Sequence, residues 1–430
     1  MMISVVEIPK YESYKDSENE WFSVIPEHWK CIRLKYSLKL VSEKIVSAKS
    51  GLPYIGMENI ESWSGKILGD NSDVEGLASG FEPSDILFGK LRPYLAKVAI
   101  PDFRGICSTE FLVYRATNGQ PQYFRYLLGS KSFINVIDSS TYGSKMPRAS
   151  SDFIGNQYIP VPSSQEQIFI ANFLDQKTAQ IDEAIAIKQQ QISLLKERKQ
   201  ITIQQAVTQG LDPNVPMKDS GVDWIGQIPE HWEMKRVKNI FRMVMEPSEK
   251  NNEHELLSVY TDIGVKPRRE LEERGNKAST TDGYWFVKKG DIVVNKLLAW
   301  MGAIGLSEYK GVTSPAYDIL RPQLPINGYF YHYLFRSDFC SAELKRHSRG
   351  IMDMRLRLYF DKFGVVEVPY PPSNEQDEII RTLEHQMKEI DTGIDLLLAQ
   401  IEKLKEYKTT LINSAVTGKI KITPEMIGYV

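Results

Sequence analysis

Lys90, Arg92, Tyr94 and Lys97 fall within eight residues, carried by the run Gly89-Lys-Leu-Arg-Pro-Tyr94 and the residues after it. Tyr142, Lys145 and Arg148 gather around Gly143. In the second half of the chain Lys296 and Trp300 take the matching place, followed by Arg349, Arg355 and Arg357 beside Gly350. Cations interleaved with aromatic rings suit recognition more than bond-making. Arginine grips guanine through two hydrogen bonds, and lysine anchors phosphate. The bland reading of each is a solvated surface charge; Arg148 and Arg355 stand out because they recur at matched positions after a glycine.

Reactive constellations are harder to find. No G-x-x-x-x-G-K-[ST] loop occurs, and Met301-Gly-Ala-Ile-Gly305 reads as a strand turn rather than a nucleotide cradle. Tyr370-Pro-Pro-Ser373 lacks the leading amide or carboxylate and the trailing aromatic that would hold a flipped base, so it reads as a rigid turn. Pro229-Glu-His-Trp-Glu233-Met-Lys235 comes nearest to a nuclease set, but its twin Pro26-Glu-His-Trp-Lys30 has exchanged a carboxylate for a lysine. The histidines at 28, 231, 254, 332, 347 and 385 form no H-x-x-x-H pair. No catalytic residue, metal ligand or cofactor-binding group is assigned.

A net charge of −2 is low for a nucleic-acid reader, but the charge is unevenly spread. Residues 58–82 hold Glu58, Glu61, Asp70, Asp73, Glu75 and Glu82 against Lys66 (1 − 6 = −5). Residues 88–104 hold Lys90, Arg92, Lys97 and Arg104 against Asp102 (4 − 1 = +3), and residues 340–357 hold five basic residues against Glu343 and Asp353 (5 − 2 = +3). Local positive charge in a neutral chain suits a protein held in place by other subunits. Cys31, Cys107 and Cys340 are odd in number and far apart, as in a reducing cytoplasm. No apolar run approaches a membrane span, and Met1-Met-Ile-Ser4 with Glu7 does not open a signal peptide.

Two long amphipathic stretches must position these residues. From Asn374 to Lys419 the apolar residues Ile390, Ile394, Leu397, Ile401, Leu404 and Leu411 step by alternating fours and threes, with Lys408 the one polar member. That spacing is a coiled-coil seam, and an apolar line of this length needs a partner. Ser164 to Gly210 supplies it. At a constant shift of 209, Glu166-Gln167 falls on Glu375-Gln376 and Ile181-Asp182 on Ile390-Asp391. Its seam, Ile181, Ile185, Ile192 and Leu195, is interrupted by Lys188, Lys199 and Thr202.

The regions before the two helices repeat as well. Trp21-Phe-Ser-Val-Ile-Pro-Glu-His-Trp29 returns as Trp224-Ile-Gly-Gln-Ile-Pro-Glu-His-Trp232 at a shift of 203. Short strands are predicted near 85–90 and 108–115, matched by 291–296 and 314–321, and a short aromatic helix at 123–128, matched by 330–335. The expected fold is α+β: two similar mixed α/β domains at 1–163 and 211–373, with long helices at 164–210 and 374–419 and a tail at 420–430. The helices are expected to pack as an antiparallel coiled coil, in a nearly circular arrangement with pseudo-two-fold symmetry.

In this order of elements the chain resembles the specificity (HsdS) subunit of type I restriction–modification enzymes. The paired Lys-Asp-Ser…Trp…Ile-Pro-Glu-His-Trp lead-ins, the Gly89-Lys-Leu-Arg-Pro-Tyr94 run and the Pro-Ser-x-Glu-Gln helix starts carry the resemblance. It implies a non-catalytic subunit of a prokaryotic defence system, with a target recognition domain in each half reading one part of a bipartite, asymmetric site on double-stranded DNA. The helices would fix the spacer and dock two modification subunits, which bring S-adenosylmethionine and methylate adenine. Restriction subunits would add translocation and cleavage driven by ATP and Mg. Asn295-Lys-Leu-Leu-Ala299 departs from the first domain's pattern, which suggests unlike half-sites. Rival readings are a scaffold that bridges two proteins without meeting DNA, and a self-contained methyltransferase or nuclease.

Overall fold

Strands in this chain are short because turn residues interrupt the apolar runs, whereas the two long stretches lack proline and run as uninterrupted helices. The computed structural model describes residues 8–47, 50–69, 76–270, 281–351 and 355–428. Met1-Met-Ile-Ser4, Glu7, Asp70, Asp73, Glu75 and Asp353, which entered the sequence reading, lie outside the described residues. The long helices span Ser164–Gln209 and Ser373–Val416, 46 and 44 residues. No described helix is long and apolar enough to cross a membrane. The chain forms two compact units: residues 1–188 with 398–430, and residues 189–397. Each unit therefore holds one half of each long helix.

In the first unit a four-stranded antiparallel sheet, in the order Leu38–Val41, Phe111–Ala116, Ile86–Gly89, Val98–Ala99, forms the centre. Helices Pro121–Leu128 and Lys131–Ser139 pack on it through Phe124, Leu127, Phe133 and Ile137, all fully buried. A second sheet, Lys44–Val46, Leu77–Phe81, Gly105–Cys107, Tyr54–Ile55, encloses a smaller core around Ile55, Phe81 and Cys107. The ribbon Lys30–Arg33 with Tyr158–Val161 leads into the first long helix. Ile420, Ile422 and Ile427 of the tail complete the main core, and Lys421 N–H donates to Pro9 O (2.7 Å).

The second unit repeats this plan. Its central sheet runs Phe241–Val244, Tyr317–Pro322, Ile292–Asn295, Ile304–Leu306, covered by helices Gly328–Arg336 and Asp338–His347. The ribbon Glu233–Arg236 with Glu367–Tyr370 enters the second long helix through the turn at Tyr370-Pro-Pro-Ser373. Here the smaller core is built on two separate ribbons, Leu257–Tyr260 with Gly264–Pro267 and Trp285–Val287 with Gly311–Thr313. Met301-Gly-Ala-Ile-Gly305 is the expected turn, with Gly302 at φ 89° before the strand Ile304–Leu306.

The long helices pack antiparallel within each unit, bearing out the expected pairing. In the first, Lys408 Nζ meets both carboxylate oxygens of Asp182 at 2.7 Å and Lys188 Nζ reaches Gln400. In the second, Lys199 Nζ meets Asp391 (2.6 Å), and Leu195 faces Gly393. The two ion pairs are one contact written twice, since 182 + 209 = 391 and 199 + 209 = 408. Lysines that interrupt the apolar seam thus meet the aspartate that follows Ile181 or Ile390, and a polar pair at such a position fixes register. Ile181, Ile192, Ile401, Leu404 and Leu411 are buried; Ile185, Leu195, Ile390, Ile394 and Leu397 are half-buried.

Candidate nucleic-acid interface

Each unit first fastens its globular part to a helix start. In the first, Ser163 and Glu166 form a capping box, and Glu166 Oε1 also accepts from Trp29 Nε1 (3.2 Å) and meets His28 Nε2 (2.9 Å). Burial alone would raise the Glu166 carboxyl, but the hydrogen bonds from His28, Ser163 and Trp29 outweigh it and hold it below the usual carboxylate range. Glu375 takes Trp232 (2.9 Å) and His231 (2.7 Å) in the second unit. The buried Gln167 accepts from Gln120 N–H (2.8 Å) and donates to Pro162 O (3.0 Å); Gln376 does the same with Asn327 (2.9 Å) and Pro371 (2.8 Å). The repeated Ile-Pro-Glu-His-Trp and Glu-Gln motifs are therefore structural clasps. The nuclease-like set is one of them: Glu233 pairs with Lys235, Glu230 stays exposed, and no metal-holding cluster occurs among the described residues.

Beneath the loops lies a second repeated brace. Arg115 donates to both oxygens of the buried Asp85 (2.7 and 2.6 Å), and Arg321 donates to both of the buried Asp291 (2.9 Å each) and to Glu246. Asp85 and Asp291 also cap the turn that opens the central strand, accepting from Glu82 and Lys288 N–H (2.9 Å each). The strand runs from that turn to the loop bearing Lys90 or Lys296.

The loop residues come together as follows. In the first unit Ala149 N–H donates to Lys90 O and Arg92 N–H to Pro147 O, so 90–97 and 141–148 form one surface. Arg92 and Ala96 hold left-handed backbone (φ 51° and 46°) around Pro93-Tyr-Leu95, a strained turn of the kind found at binding sites. Arg92, Tyr94, Tyr142 and Lys145 are exposed. Arg148 is half-exposed and forked onto Glu110 (3.0 Å), a partner the sequence does not advertise. Lys97 turns away to the carbonyl of Met57, and Lys90 is half-buried.

In the second unit Leu358 N–H donates to Lys296 O, joining the loop after Asn295 to the segment that carries Arg355 and Arg357. Lys296 is tied down by Asp318 (3.3 Å) and Pro315 O (2.9 Å), and Trp300 carries Lys345 over its ring (4.9 Å). Arg349, Arg355 and Arg357 are exposed. The bridge register corrects one pairing. Arg148 pairs across its loop with Tyr142, and Arg357, not Arg355, pairs likewise with Arg349. Seven residues separate Gly350 from Arg357 against five from Gly143 to Arg148, so the second turn is two residues longer and a constant shift lands on the wrong arginine.

Comparison with known proteins agrees with this arrangement. Residues 34–197 match the family described as the type I restriction modification DNA specificity domain. Over its whole length the chain is similar to the MjaVIII specificity subunit of Methanocaldococcus jannaschii (22% identity, 98% of this chain and 99% of the relative). It is likewise similar to the MjaX specificity subunit of that organism, described as putative (24%, 98% and 100%). The EcoDI specificity subunit of Escherichia coli matches 40% of the chain at 27% identity, over 39% of its own length. The fold is shared with a chain solved in work on complex assembly and conformational transition of a type I system (TM-score 0.74, 18% identity, 92% of this chain and 99% of that one). It is also shared with the HsdS subunit from Thermoanaerobacter tengcongensis (TM-score 0.57, 18%, 92% and 98%). The resemblance carried by the motifs is borne out: residues 34–197 match that family's domain, and nearly the whole chain is similar to proteins named as type I specificity subunits.

Proposed function

We propose that this chain reads a bipartite, asymmetric site on double-stranded DNA for a type I restriction–modification complex. Residues 1–163 and 211–373 are the target recognition domains, one per half-site, and the helices at 164–210 and 374–419 set the unread spacer. Two modification subunits, bringing S-adenosylmethionine, dock on the helices and methylate adenine; restriction subunits bring ATP- and Mg-driven translocation and cleavage. The chain itself holds no cofactor and works in the cytoplasm.

One observation carries the reading. Both units join the same two loops by the same backbone hydrogen bond, Ala149 to Lys90 and Leu358 to Lys296, yet fill them with different side chains. A common frame with divergent contents is what two readers of unlike sequences need, and a guanidinium group can donate two hydrogen bonds to guanine. Mapping methylated adenine in cells with and without this gene, the modification subunit present in both, tests it. A two-part motif that loses methylation with the gene supports the reading. An unchanged map, or methyl transfer by the purified chain alone, overturns it.

A further inference from the structure

Dense positive charge also lies outside the loops. Residues 30–39 hold Lys30, Arg33, Lys35 and Lys39 with no acid (+4), and residues 233–242 hold Lys235, Arg236, Lys238 and Arg242 against Glu233 (4 − 1 = +3). Three of these cations recur at the shift of 203 that relates the Pro-Glu-His-Trp motifs: Arg33 and Arg236, Lys35 and Lys238, Lys39 and Arg242. All six are exposed, and they occupy equivalent places, from the ribbon before each long helix to the edge strand of each central sheet. Their tethers leave the charge at the surface. Arg33 lies over Tyr158 (5.6 Å), Lys35 donates to Asn156 Oδ1 (2.8 Å), and Arg236 meets Glu367 (3.3 Å).

The third pair lies on the edge strand of each central sheet. Lys39 sits opposite Arg115 in the strand register, and Arg242 opposite Arg321. Asp85, and Asp291 with Glu246, neutralise those arginines, so a second cation is tolerated opposite each, and both halves keep one there. The loops that differ between units are placed to read sequence. Exposed cations that stay the same suit something identical at both ends of the target, and the sugar–phosphate backbone has that uniform chemistry. We infer that Arg33, Lys35 and Lys39, with Arg236, Lys238 and Arg242, are a duplicated phosphate-anchoring strip that grips DNA independently of sequence, at the end of each central sheet away from the reading loop. The inference rests on the DNA reading proposed above.

The test uses the chain assembled with its modification subunits and two duplexes, one with the mapped site and one scrambled, titrated across a range of salt. For R33Q/K35Q/K39Q, the slope of log affinity against log salt should flatten by about 0.9 for each phosphate that is no longer neutralised. Affinity should fall by the same factor on both duplexes, leaving site preference unchanged. R236Q/K238Q/R242Q should behave alike and guards against a folding defect confined to one unit. An unchanged slope overturns the inference, as does a selective loss on the mapped site, or release of the modification subunit with the slope intact, which would mark an acidic protein face instead. A wild-type complex with no site preference sinks the DNA reading itself; a wild-type preference with unaltered variant slopes sinks this inference alone.

Discussion

The two units differ least where they hold themselves together and most where they face outward. His28, Trp29 and Gln167 have counterparts that make the same hydrogen bonds to the same kinds of atom, and so do Asp85 and Arg115. The loops share only their backbone frame. Arg92 and Tyr94 have no basic or tyrosyl partner in Leu298 and Trp300, and Arg148 leans on Glu110 whereas Arg357 makes a backbone pair with Arg349. A duplicated domain that preserves its clasps and varies its loops keeps a fold while changing what it touches.

Removing the repeated brace is the strongest way to test that division. Arg115→Met and Arg321→Met each strand a buried aspartate, so each should destabilise its own unit by about 3–5 kcal/mol. Hydrogen exchange of central-strand amides should show the loss in the mutated unit; equal loss in both units would mean the division is wrong.

Acid should separate the units next. His332 lies where the first half has Arg125. Burial, helped by the Arg336 guanidinium, lowers its pKa to about 4, and its Nδ1 accepts from Leu306 N–H (3.2 Å). Its folded pKa lies below the unfolded one, so the neutral ring favours folding above the unfolded value near 6.5. That contribution, up to about 3 kcal/mol, is lost as pH falls from there towards 4. The second unit of the wild type should lose more stability over this window than that of His332→Gln. Parallel curves would show the ring to be protonated or solvated in the fold.

Smaller and more selective effects belong to the loops. Arg148→Ala and Arg357→Ala should each weaken one half-site by about 1–3 kcal/mol and leave assembly intact, measured by competition between duplexes mutated in either half. Uniform loss on all duplexes would make them phosphate anchors. Arg355→Ala should do less than Arg357→Ala if the bridge register has identified the true counterpart.

The least effect is expected on the helices. Lys199 and Lys408 keep 30% and 18% of their side-chain surface exposed, but Asp391 and Asp182 keep about half, so alanine at either lysine should cost no more than about 1 kcal/mol in thermal unfolding. A larger loss would mean that register depends on these pairs far more than surface ion pairs allow.

Much of this was legible in the sequence because it was written twice. The constant shifts located the long helices to within a few residues and matched the strands, and the seven-residue seam required that the helices pair. The clasps were visible as motifs but not as contacts. Nothing local says that Gln167 reaches back to Gln120 and Pro162, or that Glu166 serves a tryptophan 137 residues earlier. Lys199 and Lys408 looked like blemishes in a seam until each met the aspartate of the other helix. Counting from a glycine selects Arg355, and a turn longer by two residues defeats counting. Glu110 gave no signal, since a lone carboxylate acquires meaning only from the arginine folded against it.

Grafting is the most direct test of the central claim that each unit reads its own half of the target. Residues 90–97 and 141–148 would be replaced with those of a relative of different specificity, and methylated adenines mapped across a genome. The account predicts that one half of the recognised motif changes while the other half and the spacing between them stay as they were. A map in which both halves change, or neither does, would contradict it.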